Sequence, residues 1–88
     1  MIEIKKLYYT IGQVAKIIGV ATSTLRFYDK QFGQLYFRKS RNRRQYTKQN
    51  IKNIQAIYRL LKENRRTIAE VQELLRVEIV IKNNLTVL

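Results

Sequence analysis

Two short helical stretches separated by a glycine turn constrain the fold of this chain more than any other feature. Thr10 and Gln13 match a capping box, in which both side chains satisfy backbone N–H groups at a helix start. Gly19 ends this helix, because glycine adopts the left-handed conformation at little cost. A second helix follows almost at once, and its N-cap is ambiguous: Ala21 caps poorly, and Thr22 and Ser23 are the alternatives. Helices joined this closely are typical of a helix-turn-helix.

A small β-ribbon is predicted after Gly33, which closes the second helix. Residues 35–38 and 44–47 are rich in aromatic and β-favouring side chains. They flank a polar turn, residues 39–43, in which Asn42 can adopt a positive φ. We interpret this segment as a wing with arginines at its tip.

Two further helices are predicted, one from a cap at Thr47 to about Asn64 and one from a second capping box formed by Thr67 and Glu70. Apolar side chains recur at helical spacing in all of these segments. The expected core residues are Ile11, Val14, Ala15, Ile18, Ile51, Ile54, Ile57, Tyr58, Leu61, Ile68, Val71, Leu74 and Leu75. The residues after Arg76 fit a helix or a strand, and we favour the helix.

The positive charge is concentrated in the middle of the chain. Lys and Arg number 18 against 6 Asp and Glu, which gives a net charge of +12. Residues 26–48 contain eight basic residues against Asp29 alone. Most of the eight are arginines, whose planar guanidinium group suits phosphate and guanine contacts. The pattern favours a polyanionic partner, and the alternative is a charged surface that only keeps the protein soluble.

The composition argues against several classes of protein. The chain has no cysteine and no histidine, so we expect no disulfide, no metal site and no cofactor. The six acidic residues are scattered, and we expect the protein not to be an enzyme. No apolar run is long enough to span a membrane, and the N-terminus does not match a signal peptide, so we expect a cytoplasmic protein.

The motifs together resemble the DNA-binding domain of MerR-type transcriptional regulators. The matching segments are Tyr9–Ala15, Gly19–Val20, Thr24–Asp29, Phe32–Leu35, Arg43–Thr47 and Thr67–Leu75. The resemblance implies a mostly α winged helix-turn-helix with four helices and a two-stranded wing over residues 1–75. It also implies a homodimer that binds an inverted repeat in a promoter and distorts it for RNA polymerase. Residues 76–88 are then a tail and the candidate start of a dimerisation helix.

The resemblance and the charge pattern together select candidate DNA-contacting residues. Arg26 is expected to contact a base edge or a phosphate, and Tyr28 a phosphate, with Phe27 in the core. Tyr46 either packs the wing on the third helix or reaches a phosphate. The full set of candidates is Thr22, Ser23, Thr24, Arg26, Tyr28, Arg41, Arg43, Arg44, Tyr46 and Lys48, with Gln45 as a weaker one.

Two other nucleic-acid functions remain open on the sequence. A small winged domain without an effector domain also suits an architectural DNA-binding protein of the excisionase, terminase-small-subunit or chromosome-organising type. An RNA-binding function would require exposed aromatic side chains on a sheet, for which Tyr36 and Phe37 are the only weak candidates.

Overall fold

The computed structural model describes residues 6–76, which form four helical segments and one two-stranded sheet. The elements are α1 (Ile11–Ile18), α2 (Thr22–Phe32), β1 (Arg38–Ser40), β2 (Arg43–Gln45) and α3 (Lys48–Lys62), followed by α4 (68–76). This mostly α architecture with a small wing confirms the predicted fold class. The predicted helix of the tail falls on residues 77–88, which lie outside the described residues.

The contacts divide the chain into two compact units, residues 1–55 and residues 56–88. In the first unit, α1 contacts both α2 and β2. The buried side chains of this unit are Val14, Ala15, Leu25, Tyr28, Tyr46, Ile51 and Ile54. The first unit therefore contains the two close helices, the wing and the start of α3 around one core.

In the described part of the second unit, Ile57 and Val71 are buried, which agrees with the helical spacing of apolar residues. Tyr58, Leu61, Ile68 and Leu75 are only half-buried. Leu74 was expected in the core, but its side chain is 45% exposed. Leu74 lies about 60° around the helix from the buried Val71, at the edge of the apolar face of α4, where part of its side chain stays exposed. Within residues 6–76, none of the helices is long and apolar enough to cross a membrane.

Three helices begin at side-chain caps. At α1, the Gln13 N–H donates to Thr10 Oγ1 (3.2 Å) and the Thr10 N–H donates to Gln13 Oε1 (2.9 Å). At α4, Thr67 and Glu70 form the same reciprocal pair, at 3.1 and 2.9 Å. Both predicted capping boxes are confirmed.

Thr47 also caps α3 as predicted, and here its partner is Asn50. The Asn50 N–H donates to Thr47 Oγ1 (3.1 Å), and the Thr47 N–H donates to Asn50 Oδ1 (2.8 Å). Gly19 ends α1 in the left-handed region, at φ 87°, with its N–H bonded to the Ala15 carbonyl. Each of these signals depends on residues a few positions apart, so the sequence alone shows them.

The structure decides which residue begins α2. The N-cap is Ala21, in an extended conformation, and no side-chain hydrogen bond caps the helix. The two alternatives, Thr22 and Ser23, already lie inside the helix. The backbone closes the first turn, since the Thr24 N–H donates to the Ala21 carbonyl at 3.0 Å. Burial of Leu25 and Tyr28, rather than a cap, holds α2 in place.

The wing is an antiparallel hairpin with a tighter turn than expected. Ser40 pairs with Arg43, so the turn consists of Arg41 and Asn42 instead of residues 39–43. Both residues have positive φ, 52° and 63°, as a type I′ turn requires. The positive φ predicted for Asn42 is confirmed. Beyond the hairpin, Tyr46 exchanges two backbone hydrogen bonds with Tyr9, which tie the wing to the segment before α1.

Candidate nucleic-acid interface

One face of α2 is buried and the opposite face carries a stripe of exposed side chains. Leu25 and Tyr28 are buried in the core of the first unit. The exposed residues follow one another at helical spacing: Ser23, Arg26, Phe27 and Lys30. We call these four residues the α2 stripe. It presents a hydroxyl, two cations and one aromatic ring to the outside of the molecule.

Arg26 is the best-placed cation of the α2 stripe. Its Nη1 donates to Thr22 Oγ1, one turn earlier, at 3.1 Å. This bond directs the guanidinium group towards the start of the helix. Thr22 and Thr24 are half-buried beside the exposed Ser23. The first turn of α2 therefore brings hydroxyl groups and a guanidinium group to the same end of the helix.

The two neighbouring aromatic residues of α2 have the opposite burial from that predicted. Tyr28 is 2% exposed, whereas Phe27 is 43% exposed. The prediction that Phe27 is the core residue and Tyr28 the surface residue is therefore wrong. Tyr28 follows Leu25 by three positions and so shares its inward face, where its ring lies 5.9 Å from that of Phe32. In this position the Tyr28 ring supports α2 from inside the first unit.

The wing exposes four cations. Arg38, Lys39, Arg41 and Arg43 are all exposed on the hairpin, and only the last two were predicted as site residues. Arg38 is held in place, because its Nε donates to Gln45 Oε1 across the sheet at 2.7 Å and its guanidinium carbon lies 5.1 Å from the Tyr8 ring. The register of the hairpin, which places Arg38 opposite Gln45, could not be read from sequence composition.

Arg44 behaves differently from the other wing arginines. It is half-buried, and its Nε lies 3.2 Å from Asp29 Oδ2. Its guanidinium carbon also lies 5.2 Å from the centre of the Tyr36 ring. Asp29 in turn accepts a hydrogen bond from the Leu35 N–H through Oδ1 (3.0 Å). Arg44 thus joins β2 to α2.

Burial governs the protonation of this cluster. It raises the pKa of Asp29 above 3.8, although the Leu35 N–H and the charges of Arg44 and Lys39 act in the opposite direction. Burial, followed by the nearby Asp29 carboxylate, raises the pKa of Tyr46 to about 12. Tyr46 is completely buried, with its ring edge-on to Tyr36 at 6.2 Å. Of the two roles considered for Tyr46, the structure favours packing.

A basic cleft of about 650 Å³ lies between the segment before α1 and the wing. Its lining includes Arg41 and Arg43 from the wing together with Lys6, Thr10 and Gln13. Lys48, the exposed first residue of α3, borders a separate, mainly apolar groove of about 420 Å³ beside Leu7, Tyr8 and Phe37. The cleft combines cations and polar groups at a scale that suits a phosphate-bearing backbone.

The order of two close helices, a hairpin and a further helix pair defines a winged helix-turn-helix protein. Residues 9–78 match the sequence model of a protein family, the MerR HTH family regulatory proteins. The chain therefore belongs to the MerR family, as its motifs suggested. No curated protein sequence matches it.

The fold is also similar to a solved structure of this family. The crystal structure of HiNmlR, described as a MerR family regulator lacking the sensor domain and bound to promoter DNA, has a TM-score of 0.69. The two chains are 24% identical over 92% of this chain and 68% of that one. This likeness supports the assignment of the winged helix-turn-helix fold.

Proposed function

We propose that this protein binds double-stranded DNA in a sequence-specific manner and regulates transcription from promoters. The observation that carries the proposal is the placement of the basic segment. Its exposed cations lie on α2, at Arg26 and Lys30, and on the wing, at Arg38, Lys39, Arg41 and Arg43. Both elements belong to the same compact unit, and Arg44 and Asp29 connect them. Membership of the MerR regulator family supports the same function.

In this proposal, α2 is the recognition helix and enters the major groove with its stripe facing the base edges. Arg26 contacts a guanine edge or a phosphate, and Thr22, Ser23 and Thr24 contact the groove or its phosphates at the helix start. Arg41 and Arg43 at the wing tip follow the neighbouring backbone or enter the minor groove. Lys48 is a phosphate contact at the start of α3. Tyr28 and Tyr46 support these elements from the core.

The assembly and the regulatory step are also proposed from the family. We infer that residues 1–75 form the DNA-binding domain and that two copies bind an inverted repeat. Such a homodimer would deform the promoter so that RNA polymerase can use it, and the sequence-dependent cost of that deformation would add to its specificity. Because this function requires access to DNA, we infer that the protein acts in the cytoplasm. Residues 76–88 are the proposed start of the dimerisation element.

Fluorescence anisotropy tests the proposal, with one labelled duplex from upstream of the protein's own gene and one scrambled duplex of equal length, across a salt series. We expect tighter binding to the upstream duplex that persists near physiological salt. Equal binding to both duplexes that weakens steeply with salt would instead identify an architectural DNA-coating protein. An Arg59→Ala variant serves as a control, because Arg59 is exposed on α3 in the second unit.

A further inference from the structure

Phe27 is the only apolar member of the α2 stripe. Its side chain is 43% exposed, while Ser23, Arg26 and Lys30 around it are polar or charged. Its ring centre lies 6.4 Å from that of the buried Tyr28, at an interplanar angle of 54°. The inner edge of Phe27 is thus supported by the core, and the exposed part of its ring lies at one edge of the α2 stripe, with Lys30 about 60° around the helix.

The surroundings of Phe27 determine what kind of surface can cover it. An apolar protein surface over this ring would also cover Arg26 and Lys30 and remove their charges from water without compensation. A DNA major groove provides phosphates for the two cations. It also carries one apolar group among its base edges, the C5 methyl group of thymine. The combination of an exposed ring and two cations on one helix face therefore fits double-stranded DNA with a thymine beneath the helix.

We propose that Phe27 is a specificity-determining residue that covers the C5 methyl group of a thymine in the major groove. The proposal rests on the DNA-binding function proposed above and adds one base preference to it. Because the aromatic ring lacks a hydrogen-bonding group, it gains nothing from the donor and acceptor atoms of the other bases. Discrimination at this position arises from burial of the methyl group alone.

Deoxyuridine isolates this contact, because it lacks the methyl group and keeps the pairing and the O4 acceptor of thymine. The test compares the upstream duplex with a version in which deoxyuridine replaces every thymine, using wild type, Phe27→Ala, Phe27→Leu and Phe37→Ala. Phe37 is a matched control, since it is also an exposed phenylalanine of the first unit but lies next to the wing. Thermal melts confirm that each variant is folded.

We expect wild type and Phe37→Ala to bind the deoxyuridine duplex about 3- to 10-fold more weakly than the thymine duplex, as for the loss of one or two buried methyl contacts. Phe27→Ala should lose most of this difference between the two duplexes, and Phe27→Leu should retain part of it. Single replacements of thymine by deoxyuridine then locate the base. The comparison with Phe27→Ala is essential, because methyl groups also affect the stiffness of DNA.

Two results would overturn the proposal for Phe27 and leave the DNA-binding function intact. One is wild-type protein that prefers the upstream duplex over the scrambled one but binds the thymine and deoxyuridine versions equally. The other is a Phe27→Ala variant that discriminates between them as strongly as wild type. If wild type shows no preference for the upstream duplex at all, the proposed sequence-specific function fails first, and the role of Phe27 fails with it.

Discussion

The Nε atom of Arg44 lies 3.2 Å from Oδ2 of Asp29, and this ion pair joins the wing to α2. Both side chains are largely buried, with 20% of Arg44 and 10% of Asp29 exposed. The second oxygen of Asp29 accepts from the Leu35 N–H in the connection between α2 and β1. One carboxylate therefore positions the wing strand and the connecting loop relative to α2.

Replacement of Arg44 by methionine should destabilise the fold, because it leaves the Asp29 carboxylate without its cation in a mostly buried position. We expect the free energy of unfolding in urea to fall by about 1–3 kcal/mol. Arg43→Met is the matched control, since Arg43 is the exposed neighbour on the same strand and its loss should change stability by less than about 0.5 kcal/mol. A double-mutant cycle with Asp29→Asn should show coupling, and additive effects would contradict the pairing.

The same substitution should change the titration of Asp29. Burial already raises its pKa above 3.8, while the charge of Arg44 lowers it. Removal of that charge disfavours the carboxylate, so the pKa of Asp29 should be higher in Arg44→Met than in wild type. Since the folded-state pKa exceeds the unfolded one, the stability from this group is greatest below pH 3.8 and falls as the pH rises through the folded pKa. NMR titration of the carboxyl carbon measures the shift, and an unchanged or lower value would refute it.

Acid should loosen the start of α4. The Thr67 backbone N–H and the Thr67 side chain lower the pKa of Glu70 below its usual 4.5, with a smaller effect of Arg66. The stability from this cap is present above pH 4.5 and is lost as the pH falls through the lowered pKa. Far-UV circular dichroism during an acid titration should show less loss of helix for Glu70→Gln than for wild type.

Glu73→Gln is the control for this titration, because it removes the same charge from α4 without changing the Thr67 cap. The Glu73 carboxylate instead pairs with Arg76, one turn later. If the two variants lose helix over the same pH range, the Thr67 cap is not responsible for the acid sensitivity.

The turn of the wing should accept glycine and reject β-branched residues. Arg41 and Asn42 both have positive φ, where a Cβ branch clashes with the backbone. Asn42→Gly should leave the melting temperature unchanged or slightly higher, while Asn42→Val should cost about 1–2 kcal/mol. A normal melting temperature for Asn42→Val would show that the hairpin adopts a different turn.

Arginines of the two DNA-facing elements should have separable effects. Arg26→Ala should reduce the preference for the upstream over the scrambled duplex by about 1–3 kcal/mol, because it removes a contact to a base edge. The Arg41→Ala and Arg43→Ala double variant should weaken binding to both duplexes and reduce the slope of affinity against salt. Equal weakening on both duplexes would identify Arg26 as a phosphate contact, and an unchanged slope would exclude the wing tip from the interface.

Sequence patterns predicted the local elements well, because their signals lie within a few residues. Thr10 with Gln13 and Thr67 with Glu70 identify helix starts through bonds three positions apart. Asn42 identified the position of the turn. The length of the turn, two residues, depends on how β1 and β2 pair. The order of the elements followed from these local signals, and the family resemblance agreed with it.

The half-buried position of Arg44 depends on a contact that is distant in the sequence. The pair of Asp29 and Arg44 forms only when the wing folds back towards α2. Which of Phe27 and Tyr28 is buried depends on which face of α2 meets the core. The residue types do not decide this, because both rings are large and apolar. The spacing of Leu25, Tyr28 and Phe32 is a helical signal that would have placed Tyr28 inside.

The caps also bear on the order in which the chain folds. Helices α1, α3 and α4 have their starting signals encoded within four residues, so their first turns can form before any long-range contact. Helix α2 has no side-chain cap and depends on the burial of Leu25 and Tyr28. We therefore expect α2 to become fixed late on the folding pathway, so that the recognition surface is completed only after the core that supports it.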